Sequence, residues 1–485
     1  MQLYNTLTRK KEVLIPHRPG KIGMYACGIT AYDYSHIGHA RSAVACDVLV
    51  RYMRYTGLDV TFVRNFTDVD DKIIKRANTE GRPSEEIART YIDAFHEDMD
   101  RLGVLRPNIE PLATEHIPEM ISLTERLIAK GHAYATPCGD VYFRVRSFPS
   151  YGKLSGRDPD ELRAGARIAP GEEKEDPMDF ALWKAAKPGE PHWKSPWGEG
   201  RPGWHLECSA MSEKHLELPL DIHGGGLDLI FPHHENEIAQ TEAATGKELA
   251  TTWVHNGFVQ VNSEKMSKSL GNFKTIRDIL KSYLPETLRF FLLGKHYRSP
   301  IDFSFESMEE TERAQKRIYE TLKDIDQALA RAQWKAGQDA APLMKELEEI
   351  RQAFLAALDD DCNTAAAIGH IFSAVHLAGR VLENKKLRAS EAGREVLSGI
   401  REMTRLWDQI LGVFGSNPET FLSELRSTRV QRKGIDMAKA EALLEARAEA
   451  RKNKDFAQAD ALRGELADLG VEVRDTPEGQ QWDLG

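Results

Sequence analysis

From Tyr25 to Asp47 the chain reads Tyr-Ala-Cys-Gly-Ile-Thr-Ala-Tyr-Asp-Tyr-Ser-His-Ile-Gly-His-Ala-Arg-Ser-Ala-Val-Ala-Cys-Asp, and few folds accept that order of elements. A short apolar run ends at Cys27 and a glycine-containing loop follows. Ile37, Ala40, Val44, Val48 and Tyr52 then recur at three- and four-residue spacing, one face of an amphipathic helix. The stretch therefore predicts strand, loop and helix start. Such a turn aims backbone N–H groups and the positive helix end at whatever lies above the strand, and phosphate is the usual guest. His36 and His39 lie three apart with Gly38 between them, so on a helix they face the same way. Their imidazole N–H groups could donate to a phosphate that gains charge as a bond breaks. Two surface histidines capping a helix fit the spacing equally well.

Further on, Asp59-Val-Thr-Phe-Val-Arg-Asn-Phe-Thr alternates like a strand, and Asp68-Val-Asp-Asp caps a helix through Ile73 and Ile74. Strand, helix, strand, helix before Gly81 predicts an α/β fold with a parallel, Rossmann-like sheet. At 485 residues the chain exceeds what one core organises. The expected units are a Rossmann-like catalytic domain over 1–108 and 201–304, an insertion over 109–200, an all-α bundle over 305–422 and a small α+β unit over 423–485. Within the insertion, Val141-Tyr-Phe-Arg-Val reads as half of a hairpin, and the run Arg157 to Pro177 is dense in glycine, proline and charge. Met308, Thr311, Gln315, Ile318, Leu322, Ile325 and Leu329 mark a helical stripe in the bundle.

Hydrophobic residues at 41% and charged residues at 29% exclude a disordered or fibrous chain. No apolar run reads as long enough to span a bilayer and no signal-peptide core opens the chain, so a cytoplasmic protein without membrane contact is expected. Five scattered cysteines, an odd number, argue for reduced thiols or metal ligands rather than disulfides. The formal charge of −10 argues against a general nucleic-acid binder. Base is concentrated locally, however, from Arg426 through Arg429, Arg432, Lys433, Arg447 and Arg451 to Arg463, with Trp482 beyond. That pairing of charge and aromatic suits single-stranded nucleotides, and a solvated helix laced with glutamates suits it as well.

Three further motifs carry chemistry with a plainer reading beside each. Lys265-Met-Ser-Lys-Ser269 reads as an exposed loop, and its ammonium groups on Lys265 and Lys268 could neutralise a triphosphate; a solvated basic turn is the commoner fate. His233 and Glu237 are four apart on an expected helix, and with Cys27 and Cys208 they would make a four-ligand zinc site of mixed softness. By spacing alone, buried structural cysteines are the stronger reading, and His234 rivals His233. The triplet Gly224, Gly225 and Gly226 either lets a ligand reach the backbone or makes a turn. Trp204 suits a core or a binding floor.

His36-Ile-Gly-His39 and Lys265-Met-Ser-Lys-Ser269 resemble the two signature motifs of class I aminoacyl-tRNA synthetases, in the expected order. More narrowly, the stretch from Tyr25 to Asp33, Asn65-Phe-Thr-Asp-Val-Asp-Asp-Lys-Ile-Ile, Gly203-Trp-His-Leu-Glu-Cys-Ser-Ala-Met and the run from Asp221 to Glu237 resemble the cysteinyl-tRNA synthetase family, over essentially the whole chain. The resemblance implies one zinc per chain held by Cys27, Cys208, His233 rather than His234, and Glu237. It implies that the substrate thiol binds this metal, which separates cysteine from serine without an editing domain. Mg²⁺ would accompany ATP. His36 and His39 would stabilise the phosphates, Lys265 and Lys268 the pyrophosphate side, and Gly38 with Gly224 to Gly226 would contact ATP and the adenylate. Thr67, Trp204 and Asp228 are expected at the amino-acid pocket. The implied partners are L-cysteine, ATP and tRNA(Cys), with a monomeric enzyme whose residues 423–485 read the anticodon. Two alternatives remain: a cysteine ligase acting on an amino sugar in thiol biosynthesis, and a zinc-stabilised binding protein without catalysis.

Overall fold

The computed structural model describes residues 1–158, 173–261, 264–265, 274–331, 333–336, 339–476 and 479–484. At its centre four parallel strands lie side by side in the order Ala250–Asn256, Leu220–Gly226, Lys21–Thr30, Asp59–Thr67. Parallel neighbours need a crossover, and the helix Ile37–Tyr55 supplies the one between Lys21–Thr30 and Asp59–Thr67. Ile37, Ala40, Val44, Val48 and Tyr52 are all buried, so the periodicity marked the face that packs on the sheet. Asp70 caps the helix Asp71–Glu80 by accepting from the Lys72 N–H, and Gly81 closes it at φ 66°, a left-handed conformation that glycine adopts without strain.

The insertion carries the helix Ile117–Ala129 and a five-stranded antiparallel sheet. Its first hairpin pairs Ala133–Ala135 with Val141–Phe143, and Phe180–Ala185 follows. Most of the Arg157 to Pro177 run, residues 159–172, lies outside the described residues. The glycine triplet is no turn: it forms the last residues of the central strand Leu220–Gly226, where Ile222 to Gly224 pair with Met24 to Ala26. Gln260 pairs with Lys265 across a short antiparallel ladder, whereas Lys268 lies outside the described residues.

The helices Phe305–Leu329, Ala341–Asp359, Thr364–Glu383, Glu391–Leu411 and Pro418–Lys433 form the bundle. Met308, Gln315, Ile318, Leu322 and Ile325 of the expected stripe are buried, in a core continuous with one face of the parallel sheet. Thr364–Glu383 corrects the expectation that no run reaches bilayer length: by length and composition it does. Its Ala367, Ile371, Ala374, Leu377 and Val381 are spent in the bundle core. Pro418–Lys433 runs through the boundary expected at 422, with Phe421 and Leu425 in that same core. Beyond it, Met437–Lys452, Phe456–Asp468 and the hairpin Val471–Thr476 with Gly479–Leu484 enclose a separate small core of Ala440, Leu444, Leu466, Val471, Val473 and Leu484.

Candidate active site and metal cluster

The site begins at an irregularity in the central strand. Between Ala26 and Ile29 the register with Asp59–Thr67 shifts, and Gly28 sits in the shift. Its N–H donates to Asn65 Oδ1 at 2.9 Å, and a Cβ there would stand 1.6 Å from the Asn65 carbonyl oxygen. Only glycine fits so close an approach. The preceding Cys27 meets Cys208 from the helix Trp204–His215 and His233 and Glu237 from the kinked turn and helix spanning Ile230–Thr245. One ligand atom from each of these four lies within 4.8 Å of the others. Cys27 Sγ is 3.2 Å from Glu237 Oε1, and His233 Nε2 is 3.0 Å from the same oxygen.

A second set, Cys27, His223, His234 and Glu237, meets the same distance test. Hydrogen bonding separates the two. His223 Nε2 holds Glu237 Oε2 at 2.8 Å, which leaves Oε1 for the cluster. His234 Nδ1 is engaged with His255 Nε2 at 2.8 Å, and His255 Nδ1 in turn meets Thr6 Oγ1 at 2.8 Å. Gly225 makes room for that inward ring, since a Cβ there would come within 2.9 Å of His234 Cε1. His233 Nδ1 meets His205 Nδ1 at 2.9 Å, while its buried Nε2, 3.0 Å from Glu237 Oε1, makes no hydrogen bond of good geometry. A buried imidazole nitrogen without a well-formed hydrogen bond, facing two sulfurs and a carboxylate oxygen, fits a zinc ion.

The four side chains shift one another's protonation strongly. Burial alone would raise the Glu237 carboxyl, but His223 and His233 beside it hold it well below the usual range. Burial would lower His233, yet Glu237 and Cys208 raise it to about 10. Burial would raise Cys208 as well; the Cys27 thiol hydrogen bond and His233 bring it to about 6 instead. Burial and the neighbouring Cys208 push Cys27 well up. The buried His205, His234 and His255 are driven down by desolvation, His255 to about 3, so they stay neutral.

Cys27, His36, Gly38, His39, Trp204, Gly226 and Asp228 line one solvent-open cleft of about 450 Å³. Trp204 is 39% exposed, and its ring stacks on His233 at 4.2 Å and 24°, so it covers the cluster on the cleft side rather than joining the core. His36 caps its helix, Nδ1 accepting from the N–H groups of Gly38 at 3.0 Å and His39 at 3.3 Å; His39 Nδ1 accepts from the His36 N–H at 3.3 Å. The rings stack at 3.7 Å. An accepting nitrogen carries no proton, so in each neutral ring the proton is on Nε2, a tautomer inferred from these contacts. Capping and phosphate recognition are thus compatible in one pair.

Other expected residues are placed elsewhere. Gly224 and Gly225 line a separate, small apolar cavity of about 20 Å³ with Met24, Cys46 and Cys362. Thr67 is buried and its hydroxyl donates to Glu207 Oε2 at 2.6 Å, away from the cleft lining. In the basic segment, Arg429 and Arg432 pair with Glu312, and Arg447, 1% exposed, pairs with Asp475; Arg426 stacks over Trp482 at 4.7 Å. Sequence reasoning missed Asn65, His205, His223 and His255. A usable signal existed: six of the 16 histidines fall between 205 and 255, and all but His215 converge on the cluster.

Comparison with known proteins agrees in order and extent. A family model described as tRNA synthetases class I (C) catalytic domain matches residues 13–313. A DALR domain model matches 353–415, and a cysteinyl-tRNA ligase anticodon binding domain model matches 437–482. A cysteine–tRNA ligase from Nitratidesulfovibrio vulgaris (strain DSM 19637 / Miyazaki F) is 68% identical over 484 residues, covering 100% of both chains. One from Lawsonia intracellularis is 63% identical with the same coverage. Among solved structures, Mycobacterium tuberculosis methionyl-tRNA synthetase in complex with methionyl-adenylate matches with a TM-score of 0.62 at 18% identity, covering 81% of this chain and 92% of that one. At that identity it shows the fold alone.

Proposed function

The chain belongs to the cysteine–tRNA ligases of class I, and we propose that it makes a cysteinyl-adenylate in the described cleft and passes the cysteinyl group to tRNA(Cys). What carries this reading is the shared cleft: Cys27, the one cluster residue that lines it, and the stacked His36–His39 pair face one space, with Cys208, His233 and Glu237 buried behind Cys27 and Trp204. A zinc ion held by those four residues would supply a soft Lewis acid that prefers the thiol of cysteine to the hydroxyl of serine. Trp204, stacked on His233, walls the pocket, and the Asp228 carboxylate offers a partner for the substrate ammonium. In the first step the cysteine carboxylate attacks the α-phosphorus of ATP and pyrophosphate leaves; Mg²⁺ accompanying ATP would neutralise part of the phosphate charge. The Nε2–H groups of His36 and His39 donate to phosphate oxygens as charge grows there. Gly38 and Gly226 let the nucleotide approach the backbone, and Lys265 and Lys268 serve the pyrophosphate side. In the second step the 2′-hydroxyl of the terminal adenosine takes the cysteinyl group and AMP leaves. No side chain need act as nucleophile, because positioning and electrostatics carry adenylyl transfer.

The full-length relatives and the anticodon-binding match at 437–482 favour tRNA over an amino sugar as acceptor. The decisive experiment measures zinc per chain together with ATP–pyrophosphate exchange driven by cysteine or by serine, followed by charging of tRNA(Cys). One zinc, exchange with cysteine only, and charging are expected. Exchange without charging would move the reading to the amino-sugar ligase, and no exchange would leave a zinc-stabilised binding protein.

A further inference from the structure

The segment just downstream of the Lys265 to Ser269 motif is joined to the turn that carries His36. Ile37 N–H donates to the Lys274 carbonyl at 3.2 Å and Ile276 N–H to the Ser35 carbonyl at 3.0 Å, an isolated bridge between His36 and Thr275. Two residues past Thr275, Arg277 lays its guanidinium over the Tyr34 ring, 4.8 Å from the centroid. The same guanidinium is anchored behind: Nε donates to Asp98 Oδ1 at 3.1 Å, and Nη2 to Glu97 Oε2 at 2.5 Å and the Ala94 carbonyl at 3.3 Å, all on the helix Ser84–Arg101. Asp98 is buried. Tyr34 is 40% exposed, lines the cleft two residues before His36, and meets Tyr91 of that same helix edge-on at 5.3 Å.

These contacts form a pin. Two carboxylates and a carbonyl use up the rotamer freedom of a planar fork, and a guanidinium so held fixes the ring beneath it. The ring belongs to the loop between Cys27 and His36, and the fork belongs to the chain that leaves the second lysine motif. Backbone bonds alone would let this bridge pivot, because two hydrogen bonds between single residues define an axis.

We propose that Arg277 is a positioning residue for adenylation: clamped to the helix Ser84–Arg101, it stacks on Tyr34 and fixes the turn that carries His36 against the segment Lys274–Arg277. Arg277 acts through Tyr34 and the Ser35–Ile37 backbone. Its effect falls on ATP, because the cysteine end of the cleft, with Cys27 and Trp204, is held by other contacts. The inference rests on the phosphate roles proposed for His36, His39 and the lysine motif.

The test is ATP–pyrophosphate exchange with the full-length, metal-loaded protein. Arg277→Lys keeps charge for buried Asp98 but loses the planar stack, and Tyr34→Leu removes the ring while leaving the ion pairs. Each is expected to raise the ATP KM by about three- to tenfold, the scale of one partly buried cation–π contact, with cysteine KM and zinc per chain unchanged. The double variant should be no worse than the more affected single variant. Additive effects would mean that Tyr34 touches nucleotide by itself, and equal rises in both KM values or loss of zinc would mean general disruption; either result, or no change, overturns the proposal. Lys268→Ala separates this from the underlying reading. If it abolishes exchange while Arg277→Lys and Tyr34→Leu do nothing, only the pin fails; if it leaves exchange intact, the phosphate reading fails first.

Discussion

His223 Nε2 stands 2.8 Å from Glu237 Oε2, and this contact decides which carboxylate oxygen faces the two cysteines. Oε1 is left 3.2 Å from Cys27 Sγ and 3.0 Å from His233 Nε2. An outer hydrogen bond that orients a ligating carboxylate is worth about ten- to a hundredfold in metal affinity. His223→Ala is expected to weaken zinc retention by that factor in competition with a chelator. An unaltered affinity would show that His223 does not orient a ligand.

Metal uptake should release protons. Near neutral pH the metal-free cluster holds a Cys208 thiolate, at about 6, and a His233 imidazolium, at about 10, with the Cys27 thiol pushed up beside them. Ligation needs two thiolates and a neutral imidazole, so about two protons leave per zinc. Both lost protons sit on groups raised above neutrality, so affinity strengthens as pH rises, by up to about a hundredfold per pH unit from roughly pH 7 to 9. Below about pH 6 the Cys208 proton joins them. Calorimetry in buffers of different ionisation enthalpy counts these protons, and a count of zero contradicts the assignment.

Gly28→Ala places a Cβ 1.6 Å from the Asn65 carbonyl oxygen, in backbone that cannot yield without losing the strand pairing. It is expected to cost at least about 2 kcal/mol in denaturant unfolding and to lower bound zinc, because Cys27 is the adjacent residue. Full zinc with unchanged stability would rule out the tight approach.

His39→Ala removes one of the two stacked imidazoles facing the cleft. Cysteine-dependent exchange should fall by about a hundredfold or more, the scale of one transition-state donor, while zinc content stays at the unsubstituted level. A loss of less than about threefold would assign His39 to the helix cap alone.

Arg447→Met tests the C-terminal unit. Its guanidinium is buried while its partner Asp475 is solvent-accessible, and removal is expected to destabilise the small core around Ala440 and Leu466 by about 1 to 2 kcal/mol. That core is separate from the sheet's, so charging of tRNA should drop while ATP–pyrophosphate exchange persists. Equal losses in both assays would contradict their independence.

Local patterns were legible in proportion to how short-ranged their physics is. The buried face of Ile37–Tyr55, the Asp70 cap and the helical stripe from Met308 follow from spacing within a few residues. The proposed zinc ligands were not legible that way: spacing favoured inert cysteines, and family resemblance supplied the set. The resemblance places Thr67 at the amino-acid pocket, and the partner of its hydroxyl, Glu207, lies far away in sequence. The arginines near the C-terminus read either as a nucleotide-facing patch or as a solvated helix laced with glutamates, and neither reading names Glu312 and Asp475, which pair with Arg429, Arg432 and Arg447.

By itself, then, the sequence determined the strand, loop and helix around His36 and His39, the α/β class and the order of the two signature motifs, since periodicity, caps and glycine punctuation act between near neighbours. Only the tertiary structure decided that Cys27, Cys208, His233 and Glu237 meet, that His234 turns inward to His255 while His233 keeps a buried nitrogen without a well-formed hydrogen bond, and that Gly226 alone of its triplet reaches the cleft. Those outcomes depend on which polar atoms are already satisfied when distant segments pack, and a buried donor or acceptor finds its partner across the fold, not along the chain.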